Sequence, residues 1–362
     1  MMNNPFSVYI HIPFCAGKCA YCDFYSLPCP SEQTMRDYGD ALCCQVKKLD
    51  KGAPESVYFG GGTPSLLPER VLRKITGQLR EKFDLTNTEI TIETNPESTR
   101  NILPFVKDKT FTRVSMGIQS LDDEQLRFLG RIHTSETARS SFSALRDAGA
   151  DNISVDLICA IPFPGSFERL KRSLDGVISM SPEHVSVYML SVEPGAKMSK
   201  LGIKEMDGDE AAEQYLYVSG TLRQAGFDHY EISNFARNGN RSRHNCGYWK
   251  SLPYIGIGAG AVGFDGIKRY RILEDVREYI ASAGDVPEHV EEILSETSLR
   301  EERIILGLRT SDGIPETLIP EQKKSFADTC RKNGLARSEN GRFSLTPEGW
   351  AVCNSIITEI IK

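Results

Sequence analysis

Short stretches of β-branched and aromatic residues alternate along the chain with longer amphipathic stretches, and this rhythm predicts the architecture by itself. Extended segments are predicted at residues 7–12, 56–59, 89–93, 113–118, 152–158 and 184–190. Between most of them, residues 31–50, 68–83, 135–148 and 167–180 carry charged, amphipathic patterns long enough for crossover helices. Strands alternating with such helices predict an α/β fold built on a parallel sheet. Six such units are too few for a closed eight-stranded barrel, which leaves an open, partial barrel or a doubly wound sheet. In either, the chemistry belongs in the loops at the carboxyl ends of the strands.

After about residue 270 the pattern turns helical, at residues 275–282, 298–309, 321–333 and 347–361. Residues 334–345, with Gly341 between two short extended pieces, have the shape of the wing in a winged-helix fold. Two domains are therefore expected, residues 1–272 and a small, mostly helical module over 273–362.

Composition narrows the classes of function. The 362 residues are 40% hydrophobic and 25% charged, as in an ordinary globular chain with a substantial core. A net charge of -6, and a C-terminal module without a basic recognition face, predict no nucleic-acid partner. No apolar run approaches the ~18–20 residues that span a bilayer, so no transmembrane segment is expected. The first residues have no basic stretch and no small-residue cleavage site, which predicts a cytoplasmic protein. In a reducing cytosol, clustered thiols bind metal more often than they pair as disulfides.

Cys15, Cys19 and Cys22 form such a cluster, C-x3-C-x2-C, directly after the first predicted strand. Structural zinc takes four protein ligands, so zinc here would need a distant fourth such as Cys29 or His11. A [4Fe-4S] cluster held by three thiolates instead keeps one iron open to a small molecule. Cys43, Cys44, Cys159, Cys330 and Cys353 lie on apolar faces and are expected to be buried core residues. Gly60, Gly61 and Gly62, followed by Thr63 and Pro64, let backbone approach a ligand one strand later. Glu93, Gln119 and Asp156 fall on the third, fourth and fifth strands, and Arg131 follows Gln119. By themselves Arg131 and Asp156 could equally be a buried structural ion pair.

The cysteine spacing with the Gly-Gly-Gly-Thr-Pro turn resembles the radical SAM superfamily, whose open iron chelates S-adenosylmethionine. The resemblance implies a partial (β/α)6 TIM-like barrel with the [4Fe-4S] cluster on Cys15, Cys19 and Cys22. It also implies S-adenosylmethionine contacts at Tyr9, Tyr21, Gly61, Gly62, Thr63, Glu93, Gln119, Arg131 and Asp156. Almost the whole chain, through Tyr230-Glu-Ile-Ser-Asn-Phe235 and Tyr254-Ile-Gly-Ile-Gly-Ala259, is similar to the HemN/HemW family of oxygen-independent coproporphyrinogen III oxidases and heme chaperones.

Three features point to the chaperone branch. Phe24 stands where the oxidase has a further cysteine, and Cys15 lies too early for the oxidase's N-terminal extension. Residues 244–248, His-Asn-Cys-Gly-Tyr, match the branch's HNxxY motif, which supplies imidazole, phenolate and thiolate, the three types that ligate heme iron, and implies heme ligation by His244 and Tyr248. Read alone, the same residues describe a hydrogen-bonded histidine beside core aromatics. The segment from Asp156 to Gly165 departs from the family's DLIxGLPGQT, with Ala160 in place of a glycine and Phe163 inserted near the turn.

The resemblance thus implies a cytoplasmic heme chaperone with [4Fe-4S], S-adenosylmethionine and heme. Its acceptors would be hemoproteins such as respiratory enzymes, and it leaves room for a homodimer. Oxidative decarboxylation of coproporphyrinogen III is the alternative, and a plain zinc protein a distant third.

Overall fold

In the computed structural model, residues 5–28 and 30–362 are described; the N-terminal Met1–Asn4 and Cys29 lie outside them. The six expected strands form, as β1 (Ser7–Ile12), β2 (Ser56–Gly61), β3 (Glu89–Thr94), β4 (Arg113–Gln119), β5 (Ile153–Cys159) and β6 (His184–Met189). They lie side by side in chain order and are parallel throughout. The crossover helices are α1 (Glu32–Lys48), α2 (Glu69–Lys82), α3 (Ser135–Asp147) and α4 (Ser166–Met180). Ser31 caps α1 by accepting from the Thr34 amide, and Thr134 caps α3 in the same way from Thr137.

The two faces of the sheet differ in kind, because strand side chains alternate. Val8, Ile10 and Ile12 of β1, Val57 and Phe59 of β2, and Val114, Met116 and Ile118 of β4 pack with Leu42, Leu72, Leu145 and Leu174 of the four helices in one core. The helices therefore all cover one face, which selects the partial barrel over the doubly wound sheet. The other face is polar and stitched to itself. Ser56 donates to Ser7, Tyr58 to Glu93 and Ser115 to Asp156, while Ser154 bonds His184. A polar lumen inside an apolar wall is the frame in which the site sits.

Six further strands extend the sheet. The hairpin β7 (Asp228–Glu231) and β8 (Asn234–Ala236) follows a helix, α5 (Gly208–Gln224), and adds antiparallel to β6. The chain then crosses to the far edge through a short helix, α6 (Arg243–Trp249), and β9 (Tyr254–Ile257) pairs parallel with β1. Strands β10 (Val262–Phe264), β11 (Lys268–Ile272) and β12 (Glu288–Ile293) continue antiparallel. The change of pattern expected at residue 272 is thus displaced, since β12 still belongs to this sheet. All six β12 residues are exposed, and Arg269–Glu292, Arg271–Glu291 and Lys268–Glu288 pairs tie it to β11. A strand held by charges carries no apolar alternation for sequence reading to detect.

A second core, around Ile304, Leu308, Phe343, Trp350 and Ile357, organises the C-terminal module. Its wing is a hairpin of Ala336–Glu339 and Arg342–Leu345, turned by Asn340 and Gly341 at φ +52° and +73°. The last helix is not continuous as expected, but divides at Val352 into Pro347–Ala351 and Cys353–Ile361. Of the cysteines expected in the core, Cys43, Cys159, Cys330 and Cys353 are buried, whereas Cys44 is half-buried. Among the described residues, no helix is long and apolar enough to cross a membrane.

The two modules are joined through the turn after β7. Ile232 donates its amide to the Arg309 carbonyl at 2.9 Å, and Ser311 donates to Tyr230 at 2.9 Å. Glu231 at this joint is fully buried, with one carboxylate oxygen unpartnered, and burial pushes its pKa up to about 7. A carboxylate raised in the folded state binds its proton more tightly there than when unfolded. Its ionisation therefore costs stability as pH rises from the unfolded value of about 4.5 to 7 and beyond. Glu231→Gln is expected to melt a few degrees above the parent protein at pH 8 and to lose that advantage at pH 5, as followed by circular dichroism. An equal shift at both values would contradict the assignment.

Candidate functional site

The carboxyl ends of the parallel strands open into a cavity of about 510 Å³ lined by Cys15, Cys19 and Cys22. The loop that carries them is fixed by backbone on both sides of the barrel mouth. Ala20 donates to the Leu129 carbonyl at 2.9 Å, and Met198 donates to the Ala20 carbonyl at 2.8 Å. Gly195 leaves room for Asp23, since a Cβ there would fall 2.0 Å from the Asp23 carboxylate. The loop therefore holds its shape through contacts that do not involve the sulfurs.

Burial pushes the Cys15 and Cys22 thiols up, and each is raised further by neighbouring cysteine sulfur. At Cys15 the Thr63 hydroxyl opposes this, Oγ1 donating to Sγ at 3.8 Å, and Arg131 Nη1 donates to Cys19 Sγ at 3.3 Å. Three sulfurs on one cavity wall with hydrogen-bond donors directed at them fit a cluster bound as thiolates. Zinc would need a fourth protein ligand. His11 is committed, donating from Nε2 to the Tyr25 carbonyl and accepting from Tyr9, and Cys29 lies outside the described residues.

Eight of the nine expected S-adenosylmethionine residues line this cavity: Tyr21, Gly61, Gly62, Thr63, Glu93, Gln119, Arg131 and Asp156. Tyr9 does not; it lies one layer deeper, with its ring 6.3 Å from Tyr58 and 6.2 Å from His244. The glycine turn is required by close approach. A Cβ on Gly62 would lie 2.6 Å from the Phe14 carbonyl, and Gly61, at φ +106°, would meet the His11 ring at 2.5 Å. Gln119 itself sits at φ +68°, which turns the chain sharply at the end of β4.

Arg131 and Asp156 do not form the ion pair that sequence alone left open. Arg131 donates to Asn95 Oδ1 at 2.6 Å and to the Gly117 carbonyl at 2.7 Å, besides Cys19. Asp156 accepts from Ser115 and Ser154, and burial raises its pKa. Glu93 is pushed up to about 7 by burial; Asp156 raises it too, while the Tyr58 hydroxyl at 2.8 Å and Arg113 pull the other way. Tyr58, Asn95, Ser115, Gly117 and Tyr188 also line the cavity, and sequence reading missed them. Asn95 had a usable signal, two positions after Glu93 at the same strand end. Phe24 projects at the mouth, 69% exposed. Ala160 sits at φ +55°, a left-handed conformation that favours glycine, and its amide donates to Gln214 Oε1 at 2.9 Å.

His244 and Tyr248 are elsewhere, at the amino ends of the strands. Helix α6 closes that end, with the amide of Arg243 donating to Glu89 at the start of β3. His244 is 1% exposed and both its nitrogens are engaged. Nδ1 pairs with Ser56 Oγ at 2.8 Å and Nε2 with the Tyr248 hydroxyl at 2.9 Å. The ring stacks on Tyr58 at 4.8 Å, and burial lowers its pKa to about 3. In this conformation His244 has no free nitrogen: a buried imidazole needs partners and has found them. Tyr58 bridges the two ends of the lumen, touching Glu93 by hydrogen bond and His244 by stacking.

With this geometry in hand, known proteins place the chain. The model of the radical SAM superfamily matches residues 9–174. Heme chaperone HemW of Lactococcus lactis is 30% identical, with 100% of this chain and 98% of that protein aligned. HemW of Bacillus subtilis is 33% identical over 97% of each. Among solved structures, coproporphyrinogen III oxidase (HemN) from Escherichia coli superposes with a TM-score of 0.82 over 99% of this chain and 90% of that one. At 19% identity this last likeness is one of fold.

Proposed function

The chain belongs to the radical SAM superfamily and, within it, to the family of heme chaperone HemW, and from that premise we propose that it binds a [4Fe-4S] cluster, S-adenosylmethionine and heme and passes heme to acceptor hemoproteins. The observation that carries this reading is the intact three-thiol cavity in a chain that follows heme chaperones along its whole length. Cys15, Cys19 and Cys22 would hold the cluster, which supplies an electron able to cleave the carbon–sulfur bond of S-adenosylmethionine. Gly61, Gly62 and Thr63 give backbone and hydroxyl to the methionine part, and Glu93 accepts from the ribose. Arg131 offsets charge at Cys19, while Tyr21, Gln119 and Asp156 shape the remaining wall. Tyr9 acts from behind, supporting Tyr58.

His244 and Tyr248 enter as heme ligands only if they part, since Nε2 must be free to reach iron. The cytoplasm, respiratory acceptors and a homodimer complete the proposed setting, with no nucleic-acid partner. Decarboxylation of coproporphyrinogen III is the second reading, favoured by the HemN fold and opposed by Phe24 at the cavity mouth.

Hemin titrated anaerobically into the reconstituted protein is expected to saturate near one per chain. Mixing with an apo-hemoprotein should then move that heme to the acceptor. A titration that never saturates would overturn the chaperone reading.

A further inference from the structure

A second cavity, of about 400 Å³, lies between α6 and the C-terminal module, on the side of α6 away from the lumen. The helix itself explains this two-sidedness. Residues three and four apart share a face, so His244, Gly247 and Tyr248 look into the barrel while Cys246, Trp249 and Lys250 look out. Gly247 marks the inner face, where a Cβ would come 3.3 Å from Ser7 Oγ. Cys246, Trp249 and Lys250 line the outer cavity, opposite Arg303, Leu318 and Arg342 of the C-terminal module.

The chemistry of this wall is specific. In a chain of net charge -6, the cavity gathers Arg241, Lys250, Arg303 and Arg342 against a single carboxylate, Asp312. Arg241 lies 3.6 Å from Asp312 and also pairs with Asp228, and Arg342 donates to the carbonyls of Asp312 and Gly313. Lys250 and Arg303 are exposed and form no ion pair among the described residues, so two cations at the rim are uncommitted. Trp249, Ile314, Pro315 and Leu318 supply the apolar part of the lining. Cys246 supplies a half-buried thiol, and Ser251, also on the wall, has a buried hydroxyl oxygen without a partner. The volume falls within the ~300–1,000 Å³ typical of small-molecule sites.

We propose that this outer cavity is a porphyrin site, taking a flat apolar macrocycle against Trp249, its carboxylates on Lys250 and Arg303, and its iron on the Cys246 sulfur. The inference rests on the heme reading above and places the bound heme on the face of α6 opposite His244. Cys246 would serve the iron as a thiolate, its proton released to solvent. The C-terminal module thereby forms one wall of the site.

The test is a titration of hemin, hemin dimethyl ester and iron-free protoporphyrin IX into the full chain. Lys250→Glu with Arg303→Glu is expected to weaken hemin and iron-free porphyrin at least tenfold, and the dimethyl ester, lacking carboxylates, should bind the unaltered protein weakly by a similar factor. Cys246→Ser should retain iron-free porphyrin binding while removing the thiolate signature from the hemin absorption and electron paramagnetic resonance spectra. Hemin binding lost in His244→Gln but unmoved by the charge reversal and by Cys246→Ser would place the heme on the lumen face of α6 and overturn the outer site. If hemin binds tightly but ignores the charge reversal and Cys246→Ser, the outer site is wrong and the chaperone reading stands. If hemin does not bind the unaltered protein, both fail. The ester comparison needs no variant, so misfolding of a substituted chain cannot mask the outcome.

Discussion

Replacing Cys19 with serine is expected to empty the protein of its cluster. Anaerobically reconstituted protein should contain about four iron and four sulfide per chain, and Cys19→Ser less than one of each. Among the described residues three thiols face the cavity, so losing one leaves a cluster anchored at two corners. Arg131 loses its sulfur partner but keeps Asn95 and Gly117. The loop keeps its backbone bonds at Ala20, and thermal unfolding should hardly move. Iron and acid-labile sulfide analysis beside a melting curve reads both. Full iron in the variant, or stoichiometric zinc without sulfide in the parent, would contradict the assignment.

The second large effect falls on Glu93. Glu93→Ala is expected to weaken S-adenosylmethionine binding to the cluster-loaded protein by roughly 10- to 100-fold, as charge-assisted hydrogen bonds contribute about 1.5–3 kcal/mol. The sign of the pH dependence follows from the group. Glu93 is pushed up to about 7 by burial, with Tyr58, Asp156 and Arg113 facing it, and in the proposed site its ionised form would accept from ribose hydroxyls. Affinity should therefore rise between pH 6 and 8 and level off above. Glu93→Gln should be weaker and flat across that range. Calorimetry with equal affinity for parent and Glu93→Ala would remove Glu93 from the site.

Much of this was legible in the sequence because the lumen and the wall of the barrel are written in alternate residues. Tyr9, Tyr58, Glu93 and Asp156 alternate with Val8, Phe59, Ile92 and Leu157, and strand order followed from the crossover helices. The cysteine spacing and the glycine turn could be recognised because local geometry admits few alternatives there. Strand β12 could not, being held by Arg269, Arg271 and Lys268 to glutamates without any buried residue. A hydrogen-bonded His244 beside aromatics was one of the two readings the sequence offered, but its partners Ser56 and Tyr58, nearly two hundred residues away in the chain, could not be read there. The outer cavity was equally invisible, since its two walls meet only when α6 packs beneath the C-terminal module.

The central claim is that this radical SAM scaffold serves heme transfer and not porphyrin synthesis. The most direct measurement is an anaerobic reaction of reconstituted protein, S-adenosylmethionine and reductant with excess coproporphyrinogen III, analysed for decarboxylated product. The account predicts less than one product per chain, from the same preparation that binds hemin to saturation. Protoporphyrinogen IX formed over many turnovers, with matching consumption of S-adenosylmethionine, would contradict it.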